Sequence, residues 1–182
     1  MGPGRDPPRR VRLLVDSSRA RIDAAVSDVR EIAAERLARR HLRFGWTAVL
    51  VFGVLGLTLE TLHGFKVRAY LDVANETRRL MWTLAHAHGT LLGIVNVVYG
   101  LTVAHFADWG HGTLPSRGLV AAAVLLPAGF FLGGMRPYGG DPGLGILLVP
   151  MGAVALVVAV AALVLGHRPA VPPASGSRSG RR

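Results

Sequence analysis

Long blocks of apolar residues alternate with shorter polar segments along most of this chain. Four such blocks cover residues 44–62, 80–106, 118–135 and 143–166. Each is close to the roughly 20 residues that a helix needs to cross about 30 Å of hydrocarbon. The pattern therefore predicts an all-α membrane protein with a four-transmembrane-helix bundle over residues 42–166.

The fourth apolar block is preceded by a helix-start signal. Asp141 is followed by Pro142, a combination that favours an N-cap residue and then proline at the first helical position. We therefore expect the fourth helix to begin directly after Asp141.

Residues 11–41 follow a different pattern, in which one apolar stripe runs along a largely charged helix. The stripe recurs every three or four residues, at Ile22, Val26, Val29, Ala33 and Leu37. Such a cytoplasmic amphipathic helix would lie on the inner membrane surface, pair with a copy of itself or a partner, or stay solvated. The flanking segments 1–10 and 167–182 are rich in Pro, Gly, Ser and Arg, and are predicted to be disordered basic tails.

Composition agrees with a membrane location and limits the available chemistry. Of the 182 residues 51% are hydrophobic, and the mean hydropathy is +0.39. A soluble domain of this length is normally more polar. The chain has no cysteine, which excludes both a disulfide framework and a thiolate metal site.

The positive charge of the chain is concentrated near its two ends. The formal net charge is +10; residues 1–43 hold eleven arginines against six acidic residues, and the segment after Gly166 holds four arginines and no acid. Basic segments beside membrane spans mark the cytoplasmic side and attract anionic lipid headgroups. We therefore expect an inner (plasma) membrane protein with both termini in the cytoplasm. A nucleic-acid partner is disfavoured because no reader motif accompanies the charge.

Two of the predicted spans carry a helical face that combines glycine with polar residues. The face in the first span consists of Gly53, Gly56, Glu60, His63 and Gly64. The face in the second span consists of His86, Gly89, Gly93, Asn96 and Gly100. Glycine stripes let helix backbones approach closely. We therefore predict that these two faces pack together and bring Glu60, His63 and His86 near one another, close to the outer membrane surface.

Placing an ionisable side chain inside a membrane span costs free energy, so Glu60, His63 and His86 are candidates for a functional role. Glu60 and His63, at positions i and i+3, form the pairing that four-helix metal proteins use, and with His86 they would supply three ligands to a transition metal. Alternatively, a haem would be bound by histidines among His63, His86 and His88, although His88 points to nearly the opposite side of its helix from His86. Two further interpretations are proton exchange between Glu60 and His86, and a simple hydrogen bond that holds the helix pair together.

No catalytic motif accompanies this cluster. The sequence contains no Gly-rich phosphate loop, no nucleophile elbow and no His-Glu-x-x-His pattern. The working hypothesis is a non-catalytic or redox-associated membrane protein that binds a metal ion or haem. The alternative is a structural or assembly subunit that acts through its amphipathic helix, within a homo-oligomer or a membrane complex. Passage of protons or small solutes ranks third, because four spans would need a homo-oligomer to enclose a path.

Two stretches of the chain, AHAHGTLL at residues 85–92 and GGDPGLG at residues 139–145, carry a resemblance. They resemble a group of uncharacterised bacterial four-span membrane proteins. That likeness covers residues 44–166 and implies no activity. The His-x-His-Gly run is also similar to haem-bearing helices of respiratory oxidase-type proteins. A composition heavy in Arg, Ala and Gly, with a single lysine, is typical of a bacterium with high genomic GC content.

Overall fold

The computed structural model describes residues 9–71, 76–106 and 112–166. Regular structure in these residues is helical throughout, apart from one isolated bridge between Tyr138 and Asp141. The two predicted disordered tails lie outside the described residues, except for the Arg9-Arg10 pair that begins the first helix.

Four long helices and one short helix make up the described part of the chain. In chain order they are α1 (Arg9–Gly64), α2 (Arg68–Leu71), α3 (Glu76–His105), α4 (Thr113–Met135) and α5 (Leu148–Gly166). A 3₁₀ turn at Leu144–Leu147 leads directly into α5. Helices α1, α3 and α4, and α5 together with its 3₁₀ turn, are long and apolar enough to cross a membrane. The predicted count of four such helices is therefore confirmed.

The first helix is longer than the sequence pattern predicts. Helix α1 runs without a break for 56 residues, so the amphipathic segment and the first apolar block form one continuous rod. The junction at residues 37–44 reads LARRHLRF, and it contains no Gly or Pro that would interrupt a helix. The change from charged to apolar residues near position 41 is therefore not a boundary in the structure.

The start of the last helix also differs from the prediction. Helical structure begins at Leu144, and Gly143 occupies the N-cap without a side-chain hydrogen bond, so Asp141 is not the N-cap. Asp141 instead exchanges two backbone hydrogen bonds with Tyr138 across a tight turn. The central residues of that turn, Gly139 and Gly140, have φ angles of 60° and 91°, which glycine adopts readily. This turn holds Asp141 outside the helix.

The long helices pack in chain order, with α1 against α3, α3 against α4 and α4 against α5. Much of the core consists of small side chains. One cluster contains Ala38, Tyr99, Val103, Leu119 and Ala159, and a second contains Leu92, Ala122, Ala123 and Leu126. Close approach of backbones over small residues is the usual way in which apolar helices associate within lipid.

Every residue of the predicted polar face of α3 contacts α1, as expected. His86 and Gly89 meet Phe52, Gly93 meets Gly45, Asn96 meets His41, and Gly100 meets Ala38. The prediction for α1 is only partly correct. Gly56 touches His86, but a Cβ added at Gly53 or Gly64 would meet nothing within 4 Å. The α1 side of the contact uses Ala38, His41, Gly45 and Phe52 instead, which follow one another at spacings of three, four and seven residues along a single helical face.

Candidate functional site

A cavity of about 680 Å³ lies between the end of α1 and the start of α3, and the short helix α2 contributes to its wall. The polar side chains that line it include Glu60, His63, Tyr70, Glu76, Arg79 and His86. We call this space the polar cavity. The structure therefore brings Glu60, His63 and His86 to one cavity, as the helical faces predict.

His86 is held in the wall of the polar cavity by α1. Its Nδ1 lies 2.7 Å from the carbonyl oxygen of Phe52. Because a carbonyl oxygen only accepts hydrogen bonds, Nδ1 carries a proton and donates it, which leaves Nε2 as an acceptor in the neutral ring. The ring packs against Gly56, where a Cβ would clash with three of its atoms. The polar cavity is therefore lined by an imidazole of fixed tautomer and fixed position.

Glu60 and His63 lie in the last two turns of α1, and both side chains are exposed. Among the described residues, no group of three or more His, Asp and Glu side chains is placed to share a metal ion. Glu60, His63 and His86 thus line the same cavity without forming a ligand set. A metal or haem at these residues stays a prediction from the sequence.

The α3 side of the polar cavity carries a loose ion pair. Arg79 Nη2 lies 3.8 Å from Glu76 Oε1, and the two side chains are 35% and 67% exposed. A long, solvent-accessible pair of this kind contributes little to stability, on the order of 0–1 kcal/mol. Both groups therefore remain available to a ligand in the cavity.

The start of α3 is anchored to α4 on the side away from α1. Arg78 Nε donates to the carbonyl oxygen of Gly134 at 3.2 Å, and Trp82 Nε1 donates to that of Phe131 at 3.2 Å. The Trp82 and Phe131 rings also stack, with centroids 5.6 Å apart. The Thr77 hydroxyl donates to the carbonyl oxygen of Gly140 in the Tyr138–Asp141 turn. These contacts fix the helical turn that presents Glu76 and Arg79.

His88 does not line the polar cavity. Its ring lies against Phe130 of α4, with centroids 4.8 Å apart, and its Nδ1 donates to the carbonyl oxygen of Leu84 at 2.8 Å. The two-residue spacing from His86 therefore separates the two imidazoles, as an ideal helix requires. A shared ligand of His86 and His88 would need a different arrangement of α3.

A second polar site lies inside the packing, where α1, α3 and α4 meet. His41, Asn96 and Ser116 are 0%, 0% and 4% exposed. His41 Nδ1 lies 2.8 Å from Asn96 Oδ1, and His41 Nε2 lies 2.8 Å from Ser116 Oγ. The Tyr99 ring meets the His41 ring edge to face, with centroids 4.5 Å apart. We call the three hydrogen-bonded residues the buried triad.

The hydrogen-bond directions in the buried triad follow from Asn96. Its Nδ2 donates to the carbonyl oxygens of Leu92 at 2.8 Å and Leu119 at 3.4 Å, so Oδ1 faces His41 as an acceptor. His41 Nδ1 must then donate, and neutral His41 accepts the Ser116 hydroxyl proton at Nε2. Both ring nitrogens thus have partners, and a satisfied buried network ties three helices together.

Sequence reasoning placed Asn96 on the face that meets α1 but missed its two partners. His41 stands among Arg39, Arg40 and Arg43, in a segment interpreted as cytoplasmic, and Ser116 precedes the third apolar block. The available signal for His41 was its spacing of three and four residues from the small residues Ala38 and Gly45.

Several residues of the polar cavity were also missed, among them Tyr70, Glu76 and Arg79. These three residues fall between the first two apolar blocks, in a polar segment for which the sequence pattern predicts no element. That segment contains α2 and the first turn of α3. Its contribution to a cavity depends on how α1 and α3 pack, which local sequence does not encode.

Comparison with known proteins returned no matching family model, no matching curated protein and no matching solved structure. The resemblance of residues 85–92 and 139–145 to four-span membrane proteins therefore stays an expectation. Functional proposals for this chain rest on its own sequence and geometry.

Proposed function

We propose that this chain is a four-span protein of the inner (plasma) membrane that acts as a structural subunit and self-assembles through the amino-terminal part of α1. One observation carries the proposal: every side chain from Leu13 to Ala33 is exposed, although the helix continues unbroken into the packed core. We call residues 13–33 the projecting segment.

The exposed apolar surface of the long helices supports the membrane placement. Of the 19 residues of α5, only Gly152 and Ala159 are buried. On the same helix, Val157 and Leu165 are 67% and 82% exposed. An apolar surface of this extent is unfavourable in water, but it is compatible with the hydrocarbon core of a bilayer.

The distribution of basic residues supports cytoplasmic termini. Of the 21 Lys and Arg residues, all but five lie in residues 1–43, at Arg117 or in residues 167–182. Arg36, Arg39, Arg40 and Arg43 are exposed just before the apolar part of α1. This excess of basic residues favours a cytoplasmic position for both termini, where the arginines would contact anionic lipid headgroups. The polar cavity then lies near the outer face of the membrane.

The projecting segment extends away from the membrane in this orientation. Its 21 residues correspond to about 30 Å of helix. Because α1 has no break between this segment and the span, the segment cannot fold down onto the membrane surface as a separate amphipathic helix. It is therefore presented to the cytoplasm as a rod.

The sequence of the projecting segment fits pairing with a second copy. Steps of three and four residues connect a row of apolar or small side chains: Val15, Ser18, Ile22, Ala25, Val29 and Ile32. This heptad spacing is typical of the seam of a left-handed coiled coil. Copies in one membrane share an orientation, so their projecting segments run parallel and equivalent seam positions meet. The next seam positions are Arg36 and Arg39, whose charges end the seam at the level of the headgroups.

Cysteine cross-linking tests this assembly, because the chain has no cysteine of its own. We expect Ile22→Cys and Val29→Cys, both on the seam, to form disulfide-linked dimers in oxidised membranes. The matched controls Ala20→Cys and Ser27→Cys lie on the outer side of such a coiled coil and are equally exposed. A disulfide needs Cα atoms within about 7 Å, so the controls should remain monomeric.

A second measurement covers the case in which a cysteine pair is badly oriented. The detergent-solubilised full chain should be oligomeric by mass photometry, and Ile22→Asp with Val29→Asp should make it monomeric without unfolding the spans. Equal cross-linking at all four positions, together with a monomeric parent chain, would contradict self-assembly.

A further inference from the structure

The polar cavity has the size and position of a ligand site. A volume of about 680 Å³ falls within the range of roughly 300–1,000 Å³ that small-molecule sites occupy. It lies where the apolar part of α1 ends and that of α3 begins, which is headgroup depth in the proposed membrane placement. Leu80 lines it and is also 56% exposed, so the cavity adjoins the apolar surface of α3.

The charges in the cavity favour a ligand that carries a cationic group. Two carboxylates, Glu60 and Glu76, face a single guanidinium, Arg79. Glu76 already lies near Arg79, whereas within the described part of the chain Glu60 forms no ion pair. An unpaired carboxylate and the accepting Nε2 of His86 are partners for a donor with several N–H bonds.

A primary ammonium meets these requirements better than a quaternary one. A primary ammonium offers three N–H donors, for which Glu60 and His86 provide acceptors, whereas a trimethylammonium offers no N–H donor. Recognition of quaternary ammonium usually relies on a cage of Trp, Tyr or Phe rings, and among the described lining residues Tyr70 is the only one of these three types. Arg79, whose pairing with Glu76 is long, can bind a phosphate through its remaining donors.

We propose that the polar cavity binds the phosphoethanolamine headgroup of a membrane phospholipid, with the ammonium at Glu60 and His86 and the phosphate at Arg79. Leu80 lines the cavity and is exposed, so the acyl chains of the bound lipid would lie along the apolar surface of α3. The proposal rests on the membrane placement, but it is independent of self-assembly through the projecting segment.

Lipid retention measured by native mass spectrometry tests this site. The full-length protein is released from vesicles that contain equal amounts of phosphatidylethanolamine, phosphatidylcholine and phosphatidylglycerol. We expect the protein to retain one phosphatidylethanolamine molecule at least about tenfold more often than one molecule of either competitor. From an equal mixture, this retention ratio corresponds to a tenfold difference in affinity. Equal retention of the three lipids would overturn the proposal.

Variants connect the preference to the proposed residues. Glu60→Gln should reduce the retention of phosphatidylethanolamine to the level of phosphatidylcholine. Arg79→Gln should lower the retention of phosphatidylethanolamine without abolishing its preference, because the phosphate that Arg79 binds is common to all three lipids. The control Glu35→Gln removes an exposed carboxylate of α1 that lies far from the cavity, and it should leave the preference unchanged. Retained preference in Glu60→Gln, with the variant still folded by circular dichroism, would contradict the assignment.

Two further arms separate this proposal from other occupants. Binding of free phosphoethanolamine to a protein that retains no phosphatidylethanolamine would show that the ligand is the soluble molecule and not the lipid. Elemental analysis and an absorption spectrum on the same sample address the metal or haem predicted from the sequence. A stoichiometric metal or a Soret band, lost in His63→Ala and His86→Ala, would overturn the headgroup assignment. None of these outcomes depends on the oligomeric state. The experiments can therefore disprove headgroup binding without disproving self-assembly, and disprove self-assembly without disproving headgroup binding.

Discussion

At the scale of single residues, His41 ties together the helices that pack around it. Its two ring nitrogens reach Asn96 on α3 and Ser116 on α4, so one side chain of α1 joins three helices. Buried polar groups of this kind cost little while both partners are present, but they become costly when one partner is removed.

We therefore predict that His41→Ala lowers the stability of the folded chain by about 1–3 kcal/mol, because Asn96 Oδ1 and Ser116 Oγ lose their partner. In a thermal melt of the detergent-solubilised protein this corresponds to a midpoint lower by about 2–12 °C. The control Glu35→Ala removes an exposed i,i+4 ion pair with Arg39 and should shift the midpoint by less than about 2 °C. A His41→Ala melting midpoint within about 1 °C of the parent, which corresponds to less than about 0.5 kcal/mol, would mean that the buried triad is not a structural link.

Single residues also show what the sequence reveals about a site and what it hides. Glu60 and His86 were predictable as residues of one cavity, because they lie at similar depth in two spans that were expected to pack together. His41 was not, because a histidine among three arginines has the appearance of a solvated residue. Its burial depends on α1 continuing through the apolar boundary, which is a property of the whole helix.

At the scale of elements, the contact between α1 and α3 depends on paired glycines. A Cβ at Gly45 would lie 2.6 Å from the carbonyl oxygen of Gly93 and 2.8 Å from the backbone nitrogen of Val97. Backbone atoms cannot move aside as a flexible side chain can, so the two helices would have to separate.

A matched pair of substitutions tests this contact. Gly45→Ala should destabilise the protein by about 1–3 kcal/mol, as overpacking typically does. Gly53→Ala, two turns further along the same helix, meets nothing within 4 Å, and should change stability by less than about 1 kcal/mol while it gains helix propensity. Equal unfolding midpoints for the two variants would show that α1 and α3 do not approach closely at Gly45.

The elements themselves were predictable to different degrees. The glycine spacing of α3 indicated its contact face correctly, since each of Gly89, Gly93 and Gly100 meets α1. For α1 the same reasoning selected Gly53 and Gly64, which have open space. Gly53 lies one residue, or about 100° around the helix, beyond Phe52, which meets α3. The prediction of Asp141 as the N-cap of the last helix was wrong, because the Gly139-Gly140 turn pairs the Asp141 backbone with Tyr138. A residue held in this turn cannot also cap the helix.

At the scale of the whole molecule, the described residues divide into three zones along the helices. The projecting segment of α1 lies at one end, the apolar helices and the buried triad lie in the middle, and the polar cavity lies at the other end. The apolar blocks predicted the middle zone, because length and hydropathy are properties of continuous sequence. The buried triad, and the part of the cavity wall that comes from α2 and the first turn of α3, required knowledge of three-dimensional packing that local patterns do not contain.

The most direct test of this arrangement is site-specific labelling of single cysteines with a membrane-impermeant thiol reagent, in a chain that has no cysteine of its own. Ser27→Cys, in the projecting segment, should react only after the membrane is permeabilised. Tyr138→Cys, in the turn that precedes α5 and 89% exposed, should react in intact spheroplasts. Labelling of Ser27→Cys from the outside, or of both positions from the same side, would contradict the proposed placement of the four helices and of the segment that they present to the cytoplasm.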